Sequence, residues 1–474
     1  MPLTHLEQHE IEEIETAHPH AAAILPVTPL QREQLRHTLR TRHGADVCTL
    51  QMAYDLEGAL DADALRTACR SLLERHPALR ASFLLDHRAG PLQTIAREAD
   101  LPWRFNDLSG MLGEDQQVWC TQLLEADRAR RFDVTRPPLM RFTLVRLAPD
   151  HHVLLVSAHQ ALLDERSLTL LRAELFRLYE AGPEQSPSVP GAAFPEQLTH
   201  LARLHRQEHG VVGEVSRDKW TRGPEGFGPA SSALVADVGG RLLPESHTTE
   251  LGEERTDALR KTARHHGLTL GIVVRTAWGL VLRAHTGRDE FVFGATVPGR
   301  ASDAPGAASL IGPFAHLVPV RFRAAAEDTL VDLAARLRDE DAVVRSLRRP
   351  DRENRENSDP AAGGGDLSDA HMAFHDAPFD PTALRRMGGV DVRGVDVRGG
   401  THYPLSLDAR ASGAGLTLRL DHRTDRYDSI QARALAGRLV RELERLAATP
   451  DAAVGPVPHD GARVRPVPGP NAAR

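Results

Sequence analysis

Hydrophobic positions along the chain switch repeatedly between two periods. Residues 50–56 alternate as a strand does. The period then lengthens. Leu65, Ala68, Cys69, Leu72 and Leu73 fall on one face of a helix, which Asp61 is placed to cap and Pro77 to end. Residues 82–85 read as a strand, 115–129 as a helix, and 139–147 and 153–158 as two more strands. An apolar-periodic stretch at 167–178 follows. In the second half, 256–265, 269–284, 330–347 and 429–447 carry helical spacing, while 291–296, 316–322 and 416–420 are strand-like. Helices alternate with strands in both halves, which predicts an α/β protein of two lobes packed side by side.

Between these elements lie the punctuation marks. Residues 1–23 form a polar leader without the apolar core of a secretory signal. Residues 24–31 form an extended, proline-punctuated lead-in. The Gly- and Pro-rich stretch 182–195 is the best linker, dividing an N-terminal lobe at 24–181 from a C-terminal lobe at 196–453. A charged tract at 348–369 containing Gly363-Gly364-Gly365 predicts an exposed loop, and the Pro-rich tail at 454–474 predicts disorder. Val390-Asp-Val-Arg-Gly repeats at once from Val395, a local duplication of strand alternation too short for a solenoid.

Composition narrows the function classes. At 474 residues the chain is too long for one ordinary core. Its 41% hydrophobic and 26% charged residues fit a soluble globular protein. A net charge of −7 gives no basic footprint for nucleic acid, and no apolar run is long enough to span a bilayer, so a cytoplasmic location is expected. Cys48, Cys69 and Cys120 are odd in number and far apart, which reads as reduced, structural thiols. No phosphate loop, metal-spaced His/Cys set or Gly-x-Ser-x-Gly elbow is present, so neither a metal nor a bound cofactor is expected.

The candidate chemistry sits where the apolar run 153–156 ends in Ser157-Ala158-His159-Gln160-Ala161-Leu162-Leu163-Asp164-Glu165. A strand that delivers polar groups to its end, backed by a helix, is a common way to build a reaction centre. His151 and His152 open the strand and are expected near solvent.

Several stretches together resemble the condensation-domain family of nonribosomal peptide synthetases, within the chloramphenicol-acetyltransferase-like superfamily. They are Thr28-Pro29-Leu30-Gln31, Arg75-His76-Pro77-Ala78-Leu79-Arg80-Ala81-Ser82-Phe83 and Phe132-Asp133-Val134-Thr135-Arg136-Pro137-Pro138-Leu139. Further on come Gly294-Ala-Thr-Val-Pro-Gly299-Arg300, Ile311-Gly312-Pro313-Phe314, Val318-Pro319-Val320 and Tyr403-Pro404-Leu405-Ser406-Leu407. The resemblance implies two chloramphenicol-acetyltransferase-like lobes in a V around a central tunnel. It implies acyl or peptidyl carrier proteins as partners, each presenting its substrate on a phosphopantetheine arm. It also implies a central motif, His-His-x-x-x-Asp-Gly, whose second His is catalytic and whose Asp is held by an Arg.

Aligned on Asp164, the first-His position is His159, the catalytic position is Gln160, and the motif glycine is Glu165. Gln cannot accept a proton as imidazole does. General-base catalysis contributes about 10²–10⁴-fold, so its loss is serious without being fatal. An amine can attack a thioester with its own lone pair, and Gln160 can position it. His159 is expected to be a structural core histidine, since neighbours in a strand face opposite ways. Glu165 is expected to narrow the tunnel or stand in as a base. Asp164 with Arg300 is expected to be a buried ion pair. Arg80 either lines the tunnel or packs a helix end, and the role of His316 is open.

Loss of both the second His and the Gly also resembles the X-domains of glycopeptide synthetases, which recruit oxygenases instead of condensing. Two readings therefore stand. One is a free-standing condensation-type acyltransferase of antibiotic-type biosynthesis that forms amides. The other is a non-catalytic module that docks a carrier protein and a tailoring enzyme.

Overall fold

The computed structural model describes residues 6–40, 44–88, 90–182, 244–299, 309–346, 370–376, 386–413 and 415–457. All of the expected linker at 182–195 but Gly182, the loop at 348–369, most of the tail and Arg300 lie outside the described residues. The elements run in order: α1 (Gln8–Ala17), β1 (Ala21–Pro26), α2 (Pro29–Arg40), β2 (Thr49–Glu57), α3 (Ala62–Arg75), β3 (Ala81–Leu84), β4 (Leu92–Ala96) and β5 (Trp103–Asp107). Then come α4 (Gly113–Ala129), β6 (Met140–Ala148), β7 (His151–His159), α5 (Glu165–Ala181), β8 (Glu245–Gly252), α6 (Glu253–His265), α7 (Leu270–Thr286) and β9 (Glu290–Val297). The chain continues through β10 (His316–Arg323), α8 (Leu330–Ser346), β11 (Ala370–His375), β12 (Arg386–Met387), β13 (Val390–Arg398), β14 (Leu405–Ser412), β15 (Gly415–His422) and α9 (Ser429–Ala448). The chain is mixed α/β, in two compact units.

The units interleave along the chain. Pro298–His316 and Asp380–His402 cluster with Met1–Arg206, although a division at 182–195 assigns both to a C-terminal lobe. The reason is strand pairing: β13, which carries the Val-Asp-Val-Arg-Gly duplication, runs antiparallel to β2 with a register shift between Val392 and Gly394. The first unit's main sheet has the order β12-β13-β2-β7-β6-β5, and a smaller sheet has the order β1-β4-β3. Its core joins Leu65, Leu72 and Leu73 of α3, Leu154 and Val156 of β7, and Leu171, Leu175 and Phe176 of α5.

The second unit's sheet runs β10-β9-β11-β14-β15-β8. Strands β9, β11 and β14 are parallel, and β14, β15 and β8 are antiparallel. Helix α7 is the buried centre of this unit, with Trp278 fully enclosed. A Cβ on its Gly279 would sit 2.1 Å from the Phe322 ring, so only glycine lets helix and sheet meet there. Among the described residues no single helix is long and apolar enough to cross a membrane.

Helix α3 has the cap and buried face its sequence predicts: Asp61 accepts from the Asp63 and Ala64 amides. Other elements differ. The extended lead-in ends at Pro26, and a helix begins at Pro29. The Thr28 hydroxyl accepts the Gln31 amide at 3.1 Å, and Gln31 Oε1 accepts the Thr28 amide at 3.0 Å. That reciprocal capping box starts a helix, and proline is tolerated in its first position. Within the polar leader, α1 packs Ile11 and Ile14 with Leu6, Ile24 and Leu92. Helix α6 starts at Glu253, one turn before Thr256, whose buried hydroxyl donates to the carbonyls of Leu251 and Gly252.

Candidate functional site

Strand β7 is central in its sheet, with His159 opposite Thr49 of β2. Leu154, Leu155 and Val156 are buried on both of its faces, as a central strand requires. The strand stops at His159, makes one 3-10 turn at Gln160–Leu162 and enters α5 at Asp164. Asp164 is the N-cap: its carboxylate accepts the Ser167 amide at 2.8 Å. The Ser167 hydroxyl donates to the Gly312 carbonyl at 2.8 Å, and the Gly312 amide returns to Ser167 Oγ at 2.9 Å. The Asp164 amide also reaches the Gly312 carbonyl at 3.3 Å. The motif aspartate thus anchors the helix start. Glu165 is half-buried in the first turn of α5.

His159 is fully buried, with both ring nitrogens engaged. Nδ1 accepts the Ala161 amide at 3.1 Å, so the proton is on Nε2, which faces Thr38 Oγ1 at 3.0 Å. Burial holds its pKa down to about 4, against the pull of the Asp46 carboxylate 3.9 Å away. Arg131 lies 3.5 Å from Asp46 and shares that charge. A neutral ring with both nitrogens engaged is a brace, and it does not titrate where a base for neutral pH must.

Gln160 is half-buried at the turn. Its Nε2 donates to the Gly400 carbonyl at 2.9 Å, and its amide donates to the Cys48 carbonyl at 2.8 Å. Only the amide nitrogen can donate to a carbonyl, which fixes the carboxamide's orientation and turns Oε1 away. Among the described residues Oε1 has no hydrogen-bond partner.

Helix α2 supports the turn from below. Gln31 Nε2 donates to the Ala161 carbonyl at 2.8 Å and to Gln93 Oε1 at 3.0 Å. Thr38 on the same helix meets His159. Glu33, also on α2, lies 3.0 Å from Nε2 of His402, whose ring stands 5.5 Å from that of His37. Gln31 was visible within the Thr-Pro-Leu-Gln motif. Glu33 and His402 are 369 positions apart with no spacing to join them, so a single sequence offered no signal.

Arg80 and His316 are the remaining candidates. The buried Arg80 guanidinium donates to the carbonyls of Leu73, Glu74 and Ala96, so it closes the end of α3. His316 is buried at the start of β10, and a Cβ on Gly299 would lie 2.2 Å from its Nε2 and 1.7 Å from the Phe314 carbonyl oxygen. Glycine at 299 is therefore a steric requirement of that approach. Of the two histidines that open β7, His151 is half-exposed beside Asp55. His152 is buried, contrary to the solvent position its sequence suggests, and burial lowers its pKa. Cys48 and Cys69 are buried and Cys120 half-buried. Among the described residues no group of three His, Cys, Asp or Glu side chains is arranged to hold a metal.

Comparison with known proteins extends this geometry. The family model described as "Condensation domain" matches residues 21–458. Chondramide synthase cmdD of Chondromyces crocatus is 29% identical over 425 residues, which cover 88% of this chain but only 10% of that synthase. The chain therefore spans about a tenth of the length of such a relative. Among solved structures, the condensation domain of the Monacolin K polyketide synthase MokA superposes with a TM-score of 0.68 at 18% identity, covering 92% of this chain and 100% of that one. The X-domain in the complex of X-domain and OxyB from Teicoplanin biosynthesis gives 0.65 at 20% identity, covering 91% and 94%. These likenesses show that the chain has the fold of condensation domains.

Proposed function

The chain belongs to the condensation-domain family of nonribosomal peptide biosynthesis, and from that premise we propose that it joins carrier-tethered substrates by an amide bond without a base at the family's catalytic position. The donor is an acyl thioester and the acceptor an amine. Each is held on the phosphopantetheine of a carrier protein in the cytoplasm, and the domain needs no cofactor of its own.

The observation that carries this reading is the orientation of Gln160. With Nε2 tied to Gly400, Oε1 is the atom left to receive an N–H from the attacking amine. A carboxamide can align a nucleophile that already has a lone pair, but it cannot deprotonate an alcohol. Efficient ester synthesis would therefore count against the reading.

A second reading has a specific basis in the fold-level likeness to an X-domain in complex with OxyB, together with the absence of both the second motif His and the motif Gly. In that case the chain docks a carrier and a tailoring enzyme without chemistry.

Intact-protein mass spectrometry on a donor and an amine acceptor, both carrier-loaded, separates the two. Product from the wild type, reduced roughly tenfold in Gln160→Ala for the loss of one hydrogen bond, supports condensation. A silent wild type that still binds its carrier, with condensation restored by Gln160→His and Glu165→Gly together, makes it a docking module.

A further inference from the structure

A cavity of about 250 Å³ lies between helix α4 and the strand pair β5–β6. Leu123, Ala126 and Asp127 line it from one face of α4, continued by Arg130 just past the helix end. Arg104 of β5 with Arg141 and Thr143 of β6 line the opposite wall. We propose that this cavity binds a small organic anion, a carboxylate on a compact apolar body.

Two buried side chains in the wall have donors to spare. Arg141 is 6% exposed. Its Nε donates to Asp127 Oδ1 at 2.5 Å and its Nη2 to the Asp127 carbonyl at 2.6 Å. Among the described residues its Nη1 has no hydrogen-bond partner. The Phe132 ring holds the guanidinium in place, with its centre 4.2 Å from the guanidinium carbon. Thr143 is 4% exposed, and among the described residues its hydroxyl makes no hydrogen bond. Native proteins pair nearly all buried polar groups, because an unmet one forfeits its hydration. Two residues apart on one strand, Arg141 and Thr143 face the same way, about 7 Å apart. An oxyanion in the cavity meets both needs at once.

Charge and size narrow the ligand. Asp127 is the one acid lining the cavity, and it is already committed: besides Arg141 it accepts Gln51 Nε2 at 2.7 Å and the Ser157 hydroxyl at 2.5 Å. Arg104 and Arg130 are exposed and have no carboxylate partner among the described residues. Three guanidinium groups against one committed carboxylate attract an anion and repel an ammonium group, which disfavours a free amino acid. Leu123, Ala126 and Trp103 supply apolar wall. A dry cavity of about 150 Å³ holds benzene, and drug-sized ligands need about 300 Å³ or more, so the space suits one ring or branched chain with its carboxylate.

The test is isothermal titration calorimetry on the full chain with benzoate as probe. Wild type should bind benzoate, more weakly as salt is raised. Benzyl alcohol, phenylalanine and inorganic phosphate should each bind at least about tenfold more weakly, for want of the charge, the absence of an ammonium or the apolar body. Thr143→Val keeps the side chain's shape and removes the spare hydroxyl. It should lower benzoate affinity about tenfold while leaving the urea midpoint no lower than wild type, since the hydroxyl has no partner to lose. Leu123→Trp fills the cavity from a half-buried helix position and should abolish binding, with circular dichroism to establish that it folds. Should it not fold, Thr143→Val decides alone. No binding to wild type at about 10 mM benzoate overturns the proposal. So does equal affinity for benzyl alcohol or phosphate, or undiminished affinity in Thr143→Val.

Discussion

Helix α2 holds two histidines in very different ways. His159 is sealed, neutral, and bonded at both nitrogens to Thr38 and the Ala161 amide. His402 sits at the margin of the fold beside a carboxylate. His159 is the imidazole that remains where the family keeps two, yet strand alternation already turns it away from Gln160. Its surroundings give it a supporting task. A ring whose nitrogens are both committed to the protein supports structure. The lesson is that the environment of a histidine, more than its place in a motif, sets its task.

The largest expected effect tests the structural half of that contrast. His159→Leu leaves the Thr38 hydroxyl and the Ala161 amide without their buried partner. Each stranded group costs about 1–3 kcal/mol, so a loss of about 2–6 kcal/mol should appear as a lower denaturation midpoint. A variant with the wild-type midpoint and no turnover would break the contrast and return His159 to the chemistry.

A pH effect of intermediate size follows. Burial depresses the pKa of His159 to about 4, and that of His76 likewise. A histidine whose folded pKa lies below its unfolded value of about 6.5 binds fewer protons when folded. Stability is therefore complete above about pH 6.5 and falls as the pH drops towards 4. Urea midpoints across that window should decline, and His159→Leu should flatten the decline. An equal slope in both proteins would mean that His159 is not sealed.

How much of this was legible in the sequence follows from the range of each interaction. The α3 face and cap were readable because Asp61, Leu65, Ala68, Cys69, Leu72 and Leu73 speak to one another within a few turns. The strand–turn–helix at Gln160 was readable for the same reason. Helix α2 was masked by its prolines, because Pro29 reads as extended chain until the Thr28–Gln31 box is seen to make it a first helical residue. Strand β5 was missed because Trp103–Asp107 is an edge strand with little burial, and so lacks a clean alternation. The placement of β13 beside β2 depends on a pairing of residues more than 300 positions apart, which no local pattern encodes. The Glu33–His402 pair was invisible for that reason too.

The smallest expected effect compares two helix caps of similar strength. Thr28→Ala removes the acceptor at the start of α2, and Asp61→Ala removes the acceptor at the start of α3. Either should cost about 1 kcal/mol of stability. Their effects on turnover should differ. Helix α2 carries Gln31, Glu33 and Thr38, the three side chains that hold Ala161, His402 and His159, so fraying its first turn loosens the support of Gln160. Helix α3 instead packs its buried face against α5, and its cap should cost stability alone. Matched unfolding midpoints with a several-fold slower Thr28→Ala would assign the positioning role to α2, because a misplacement of about 1 Å costs rate far out of proportion to stability. Equal turnover in both variants would show that the turn at Gln160 holds its geometry without α2.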